Sequence, residues 1–366
     1  MSSADNNYER LLYTADVGGT NTTVGLVGIR DNTYHIIDKR AFRTQAISGV
    51  EEAITKTQGD MADIVNGQEV AGCCISCAGP VSSNICVLSN ADWDIDGHNV
   101  QKVTGLRTLL VNDFIAISYS LPLLDRNNPA QLTPLPHPDG SLPKPASDPH
   151  GLTVRAVLGA GTGLGVGYLV EDKGRFFGLP SEGGHADYAP FDEESEQFRT
   201  YLGKRIGDVP GTELFVSGQG IAHIWEFFRS NGRIPDASAK SDASLAQIEA
   251  AAPLDRPSLI SAAAQNIEVC ADIMRFFVRM YAKYASNLAL IFLPQGGFYL
   301  AGGIAAKNER WFLENNLFMN YFVRNYKDSV RPVLDTVPVY IIKEYSISLL
   351  GAANAFASRA GRDSHG

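Results

Sequence analysis

Two stretches of this chain share one design, and together they narrow its fold more than any other feature. Residues 16–27 read DVGGTNTTVGLV and residues 159–170 read GAGTGLGVGYLV; superposing them puts Gly18 on Gly161 and Leu26–Val27 on Leu169–Val170. Each is an apolar segment, a turn of glycine and small polar residues, and a second apolar segment, which reads as a hairpin closed by a glycine turn. Glycine lets backbone N–H groups point into the turn and approach an anion closely, and Thr20 and Thr162 can add hydroxyl donors. Two such turns can grip a polyphosphate from both sides. Either one alone is equally well explained as a tight hairpin, the usual meaning of paired glycines between strands. The common nucleotide fingerprints do not apply. The chain has no GxxxxGK[ST], and GAGTGLG runs on into strand-like VGYLV where a dinucleotide fold needs a helix.

The surrounding pattern is α/β. Residues 11–43 read as two or three strands with tight turns. Residues 49–65 carry helical spacing of Val50, Ala53, Ile54, Met61 and Ile64, 70–76 reads as a strand, and RTLLVN at 107–112 is a strand leading into helix-like FIAISYSLPLL. The segment Asp125–His150 holds seven prolines among few large apolar residues, which predicts a surface connection or insertion at a domain boundary. Beyond about Glu193 the pattern is mostly helical until VPVYII at 337–342. At 366 residues and 45% hydrophobic, the chain can bury a large core, and its length suggests two domains.

Charge excludes some partners. A net charge of -9 with no Lys/Arg block argues against a nucleic-acid or acidic-membrane surface as the main partner. The start, MSSADNNYER, lacks the basic and apolar regions of a signal peptide, and the most apolar helix, at about 261–293, carries Glu268, Asp272, Arg275, Arg279 and Lys283, so no membrane span is expected. The five cysteines are odd in number and cluster at Cys73, Cys74, Cys77 and Cys86, with Cys270 apart, which suits a reducing compartment. Cys74 and Cys77 form a CxxC without a second ligand pair, and VAGCCISCAGPV reads as a buried strand ending in a Gly-Pro turn. The seven histidines are scattered and read mostly as surface or helix-end residues, His185 excepted.

The chain resembles the ATP-dependent glucokinases of the bacterial type, within the sugar kinase, heat-shock-protein and actin superfamily. The resemblance rests on DVGGTN at 16–21, SNADW at 89–93, LLVNDF at 109–114, GAGTGLGVGYLV at 159–170, LPSEGGHADYAP at 179–190, ELFVSGQG at 213–220 and LAGGI at 300–304. It implies an actin-like ATPase (ribonuclease H-like) fold of two α/β domains with a ligand cleft between them. The smaller domain would take residues 1–121, completed by a C-terminal helix at 347–366, and the larger 122–346, with the proline-rich insertion at 125–150. The implied reaction moves the γ-phosphoryl group of ATP to the 6-hydroxyl of D-glucose, with magnesium, as the entry to glycolysis, in a cytoplasmic homodimer.

Such a reaction needs a group to orient the hydroxyl and accept its proton, a metal ion on the phosphates, donors for the phosphoryl group, and a pocket for several hydroxyls. Asp113 stands where the apolar strand ends and a helix begins. The residues alone leave open a helix cap there; the resemblance makes it the catalytic base. Asp16, just before the first glycine turn, either caps that turn or meets magnesium through water. The resemblance places Asn112, Glu182, His185 and Glu213 beside Asp113 in the hexose pocket, with Asn90 as a further contact. It places Gly18, Gly19, Thr20 and Asn21 with Asp16, and Gly161, Thr162 and Gly163, on the phosphates, and Gly302 and Gly303 near the adenosine. A sugar-responsive repressor of the same superfamily would carry a Cys-rich zinc segment after its GGH histidine, and none follows His185 before Cys270. A chaperone or filament ATPase would share the fold as a nucleotide switch; the sugar-pocket set argues against it.

Overall fold

The first glycine turn opens a mixed five-stranded sheet. In the computed structural model, which describes residues 8–88, 91–234, 243–344 and 346–363, β1 (Arg10–Val17) and β2 (Asn21–Arg30) run antiparallel, and β3 (Thr33–Arg43) runs antiparallel to β2. After α1 (Val50–Asp60) the chain returns as β4 (Val70–Cys77), parallel to β1, and then as β5 (Thr108–Asn112), parallel to β4. The order is β3-β2-β1-β4-β5. Parallel pairing sets the C-terminal ends of three strands side by side, with Asp16 opposite Ser76 and Cys77 opposite Asn112. Ligand-facing groups of open α/β sheets gather at that edge.

The period-two pattern of β1 divides its residues between two cores instead of between core and solvent. Leu11, Tyr13, Ala15 and Val17 pack with Val50, Ala53 and Ile54 of α1. Leu12, on the other face, packs with Ile115 and Tyr119 of α2 (Asp113–Ser120) and with Ala352, Ala353 and Phe356 of the C-terminal helix (Ile347–Asp363). That helix crosses α2 so closely that a Cβ on Gly351 would lie 1.8 Å from the Ala116 carbonyl oxygen. Asn354 ties the crossing: its amide donates to the Tyr119 carbonyl at 2.7 Å and its oxygen accepts from the Tyr34 hydroxyl at 3.1 Å. These elements belong to a first compact unit made of Met1–Asp125, Gly167–Pro180 and Glu344–Gly366.

A second unit comprises Arg126–Val166 and Ser181–Lys343. The proline-rich segment is not merely a surface connection. Its β6 (Leu132–Pro134) is an edge strand, and Leu132, Leu135 and His137 are buried. The prolines are tolerated because an edge strand needs hydrogen bonds on one side only. His137 is therefore not a surface histidine: a ring nitrogen bonds the Val337 carbonyl at 3.0 Å. The second glycine turn joins β7 (Leu152–Ala160) to β8 (Leu164–Asp172), which pairs antiparallel with β9 (Arg175–Leu179). After α3 (Gly218–Ser230) and α4 (Glu268–Phe292), the chain adds β10 (Phe298–Ala301) parallel to β7 and β11 (Val339–Ile342) parallel to β10, with β6 antiparallel on β11. The long apolar helix is shorter than predicted, because 256–263 form a separate helix. Its charges lie outside the core, where Arg275 bonds Glu268, Asp272 and Glu314. Among the described residues no helix is long and apolar enough to cross a membrane.

Candidate active site

The edge where β1, β4 and β5 end holds two carboxylates. Asp113 is the first residue of α2, and the cap of that helix is its neighbour: Asn112 Oδ1 accepts from the backbone N–H of Phe114 at 3.0 Å and of Ile115 at 3.4 Å. The capping alternative for Asp113 thus falls to Asn112, whose amide also donates to the Gly79 carbonyl at 3.1 Å. Asp113 accepts from the Phe114 N–H at 3.0 Å. Burial, with the nearby Asp16 charge adding to it, pushes its carboxyl up to about 6 against the lowering effect of that backbone bond. Asp16 is also raised by burial, although Ser76 donates to one carboxylate oxygen at 3.1 Å and Ser348, at the start of the C-terminal helix, to the other at 2.8 Å. Both serines escaped the sequence reading. A serine in an apolar strand and one at a helix start carry no signal until the fold aims them at Asp16.

The first glycine turn is held from behind. The Gly18 N–H donates to the Asn21 carbonyl at 3.0 Å, and Thr44 bonds the Gly18 carbonyl through its hydroxyl at 2.7 Å and the Thr20 carbonyl through its N–H at 3.0 Å. A Cβ on Gly161 in the second turn would meet nothing within 4 Å, and neither Gly18 nor Gly161 has a positive φ. Backbone strain and packing therefore do not demand glycine at these two places; they leave bare backbone open to a ligand. Gly302 differs. Its φ is 89° and a Cβ there would lie 2.4 Å from the Ala160 carbonyl oxygen, so it lets the chain after β10 press against the end of β7.

Glu182 precedes and His185 ends a short 3-10 turn, Gly183–His185, with 4.0 Å between a carboxylate oxygen and the imidazole Nε2 and both side chains exposed. The glycines of GGH are structural. A Cβ on Gly184 would lie 1.9 Å from the Leu164 carbonyl oxygen, and the Tyr284 hydroxyl donates to the Gly183 carbonyl. This turn is zipped to that of Glu213: Thr212 donates its N–H and its hydroxyl to the Ala186 carbonyl, each at 2.8 Å, and Asp187 bridges Gly211. Glu213 accepts from the Leu164 N–H at 2.8 Å. Gly161, Thr162 and Gly303 line one cavity of about 510 Å³, with Leu254, Pro257 and Ser261 among its other walls. Asn90 lies outside the described residues.

A model of the glucokinase family matches residues 13–359. The chain belongs to the glucokinase family. It is 32% identical to the glucokinase of Synechocystis sp. over 92% of this chain and 95% of that one, and 29% identical to the glucokinase of Yersinia enterocolitica over 96% and 97%. A crystal structure of a glucokinase from an Antarctic psychrotroph superposes with a TM-score of 0.76 at 26% identity, covering 95% of this chain and 98% of that one. A ROK-family glucokinase from Streptomyces griseus, solved with glucose and AMPPNP, gives a TM-score of 0.59 at 20% identity over 94% and 98%, a likeness of fold. The glucokinase-family chain is thus a sugar kinase with the two-domain actin-like ATPase fold.

Proposed function

We propose that this chain transfers the γ-phosphoryl group of ATP to the 6-hydroxyl of D-glucose with Asp113 as the general base. The observation that carries the reading is a half-buried carboxyl group where β5 passes into α2, near Asp16 and held at about 6. A carboxylate with that value is mostly ionised at neutral pH and basic enough to take a proton. The sugar oxygen attacks the γ-phosphorus, the bond to the β–γ bridging oxygen breaks, ADP leaves with that electron pair, and the hydroxyl proton passes to Asp113. Phosphoryl transfer asks the protein mainly for position and charge, so Asp113 also orients the hydroxyl. Asn112, Glu182, His185 and Glu213 take other hydroxyls of the sugar, and Asn112 also fixes the start of α2 through its cap.

The donor set of Asp16 suits magnesium, which binds through one or two carboxylates and the phosphate oxygens and keeps its waters. Both Asp16 oxygens already accept serine hydroxyls, which favours contact through water. When bound, the ion neutralises charge on the phosphates. Asp16 and the open backbone of the turns at Gly18–Asn21 and Gly161–Gly163 receive the phosphates, and Gly303 lies by the adenosine. The reading includes a cytoplasmic homodimer at the opening step of glycolysis.

A coupled assay of ADP release over glucose, mannose, fructose and glucosamine tests it. Release that requires a hexose and is greatest with glucose is expected. Turnover of ATP indifferent to hexose would point instead to a nucleotide switch and overturn the reading.

A further inference from the structure

Glu213 has a second duty that its place in the hexose pocket does not require. One carboxylate oxygen, Oε2, accepts the Leu164 N–H at the exit of the second glycine turn. A Cβ on Gly163 would lie 2.5 Å from that same oxygen, so a side chain there would push the carboxylate aside. The other oxygen, Oε1, has no hydrogen-bond partner among the described residues. The segment that follows Glu213 grips the opposite end of the turn: the Gly218 N–H donates to the Gly161 carbonyl at 2.8 Å, and the Gly161 N–H closes the turn on the Gly163 carbonyl at 2.9 Å. Ser217 caps α3 through the Gly220 N–H at 3.2 Å and donates to the Glu213 carbonyl, which fixes this segment to the helix.

We infer that Glu213 is a positioning residue that couples sugar to nucleotide: one carboxylate oxygen receives a sugar hydroxyl while the other holds the phosphate-binding turn. The inference rests on the glucokinase reading above and adds a linkage to it. A sugar hydroxyl on Oε1 would immobilise the carboxylate and, through Oε2, the backbone from Gly161 to Leu164. Nucleotide phosphates on that backbone would immobilise the carboxylate in return. Linkage then requires each ligand to raise the affinity for the other by the same factor.

The test measures binary complexes with no turnover, using glucose alone and ADP alone in calorimetric titrations of the whole chain. Gly163→Ala puts a methyl group against Oε2 and should weaken glucose binding about 5-fold or more although no nucleotide is present. Glu213→Ala should weaken ADP binding several-fold although no sugar is present. Glu213→Gln keeps an oxygen for Leu164 and should restore ADP binding while glucose binding stays impaired, a split that simple misfolding would not give. In the wild type, saturating glucose should tighten ADP binding, and saturating ADP should tighten glucose binding equally. Wild-type binding of both ligands, with Gly163→Ala affecting ADP only and Glu213→Ala affecting glucose only, would overturn the coupling and leave the glucokinase reading intact. A wild-type chain that binds ADP but no glucose would sink both.

Discussion

Asp113 shows what a single residue gives up to be chemically useful. Its carboxyl sits at about 6 because burial, with the Asp16 charge adding to it, disfavours the ionised form. As a base it must be ionised, so kcat/KM for the sugar should fall as pH drops through about 6, with an acid limb of unit slope in a rate profile of the ADP-release assay. Stability runs the other way. A carboxyl raised in the folded state binds its proton more tightly there than in the unfolded chain, so ionised Asp113 destabilises the fold above about pH 6, and the penalty fades as pH falls toward the ordinary value near 4. Asp113→Asn should then cut kcat by about 10²-fold or more while raising stability by about 1–3 kcal/mol at pH 7.5, with the gain shrinking toward pH 4. Denaturant melts at the two pH values read the stability, and near-normal turnover in the folded variant would remove Asp113 from the chemistry.

At the level of elements, the C-terminal helix matters both for packing and for the phosphate end of the first unit. It covers the second face of β1 and carries Ser348 to Asp16. Its approach to α2 depends on Gly351, where a Cβ would overlap the Ala116 carbonyl. Gly351→Ala should therefore destabilise by about 1–3 kcal/mol, more than the roughly 1 kcal/mol of helix propensity gained. It should also raise KM for ATP, because a helix pushed outward carries Ser348 from Asp16. The contrasting substitution is Gly59→Ala in α1, where a Cβ meets nothing within 4 Å. There the same change should stabilise by about 0.5–1 kcal/mol. Thermal melts and ATP titrations of the two variants side by side separate a helix-propensity effect from a packing one. Equal behaviour of the pair would contradict the close crossing.

Across the whole molecule, the five cysteines are all buried and none is in a disulfide. Ellman's reagent should find almost no fast thiol in the folded chain and five after denaturation, and melting temperature should be indifferent to reductant. A fast-reacting thiol before unfolding would contradict the burial of Cys73, Cys74 and Cys77 in β4. By itself the sequence determined β1, β2, β4, β5 and β11, the helices α1 and α2, the glycine turns and the places of Asp16 and Asp113, because periodicity, turn chemistry and strand ends are local properties written in neighbouring residues. Only the tertiary structure decided what depends on residues distant in the chain. It made Asn112 the cap in place of Asp113, aimed Ser76 and Ser348 at Asp16, and drew β6 from a proline-rich segment into a sheet. It also brought Gly163 against the carboxylate of Glu213, 50 residues on, so that a Cβ there would lie 2.5 Å from Oε2. Hydrogen bonds and steric fit of that kind act across space, and a one-dimensional pattern carries no record of which distant atom will arrive.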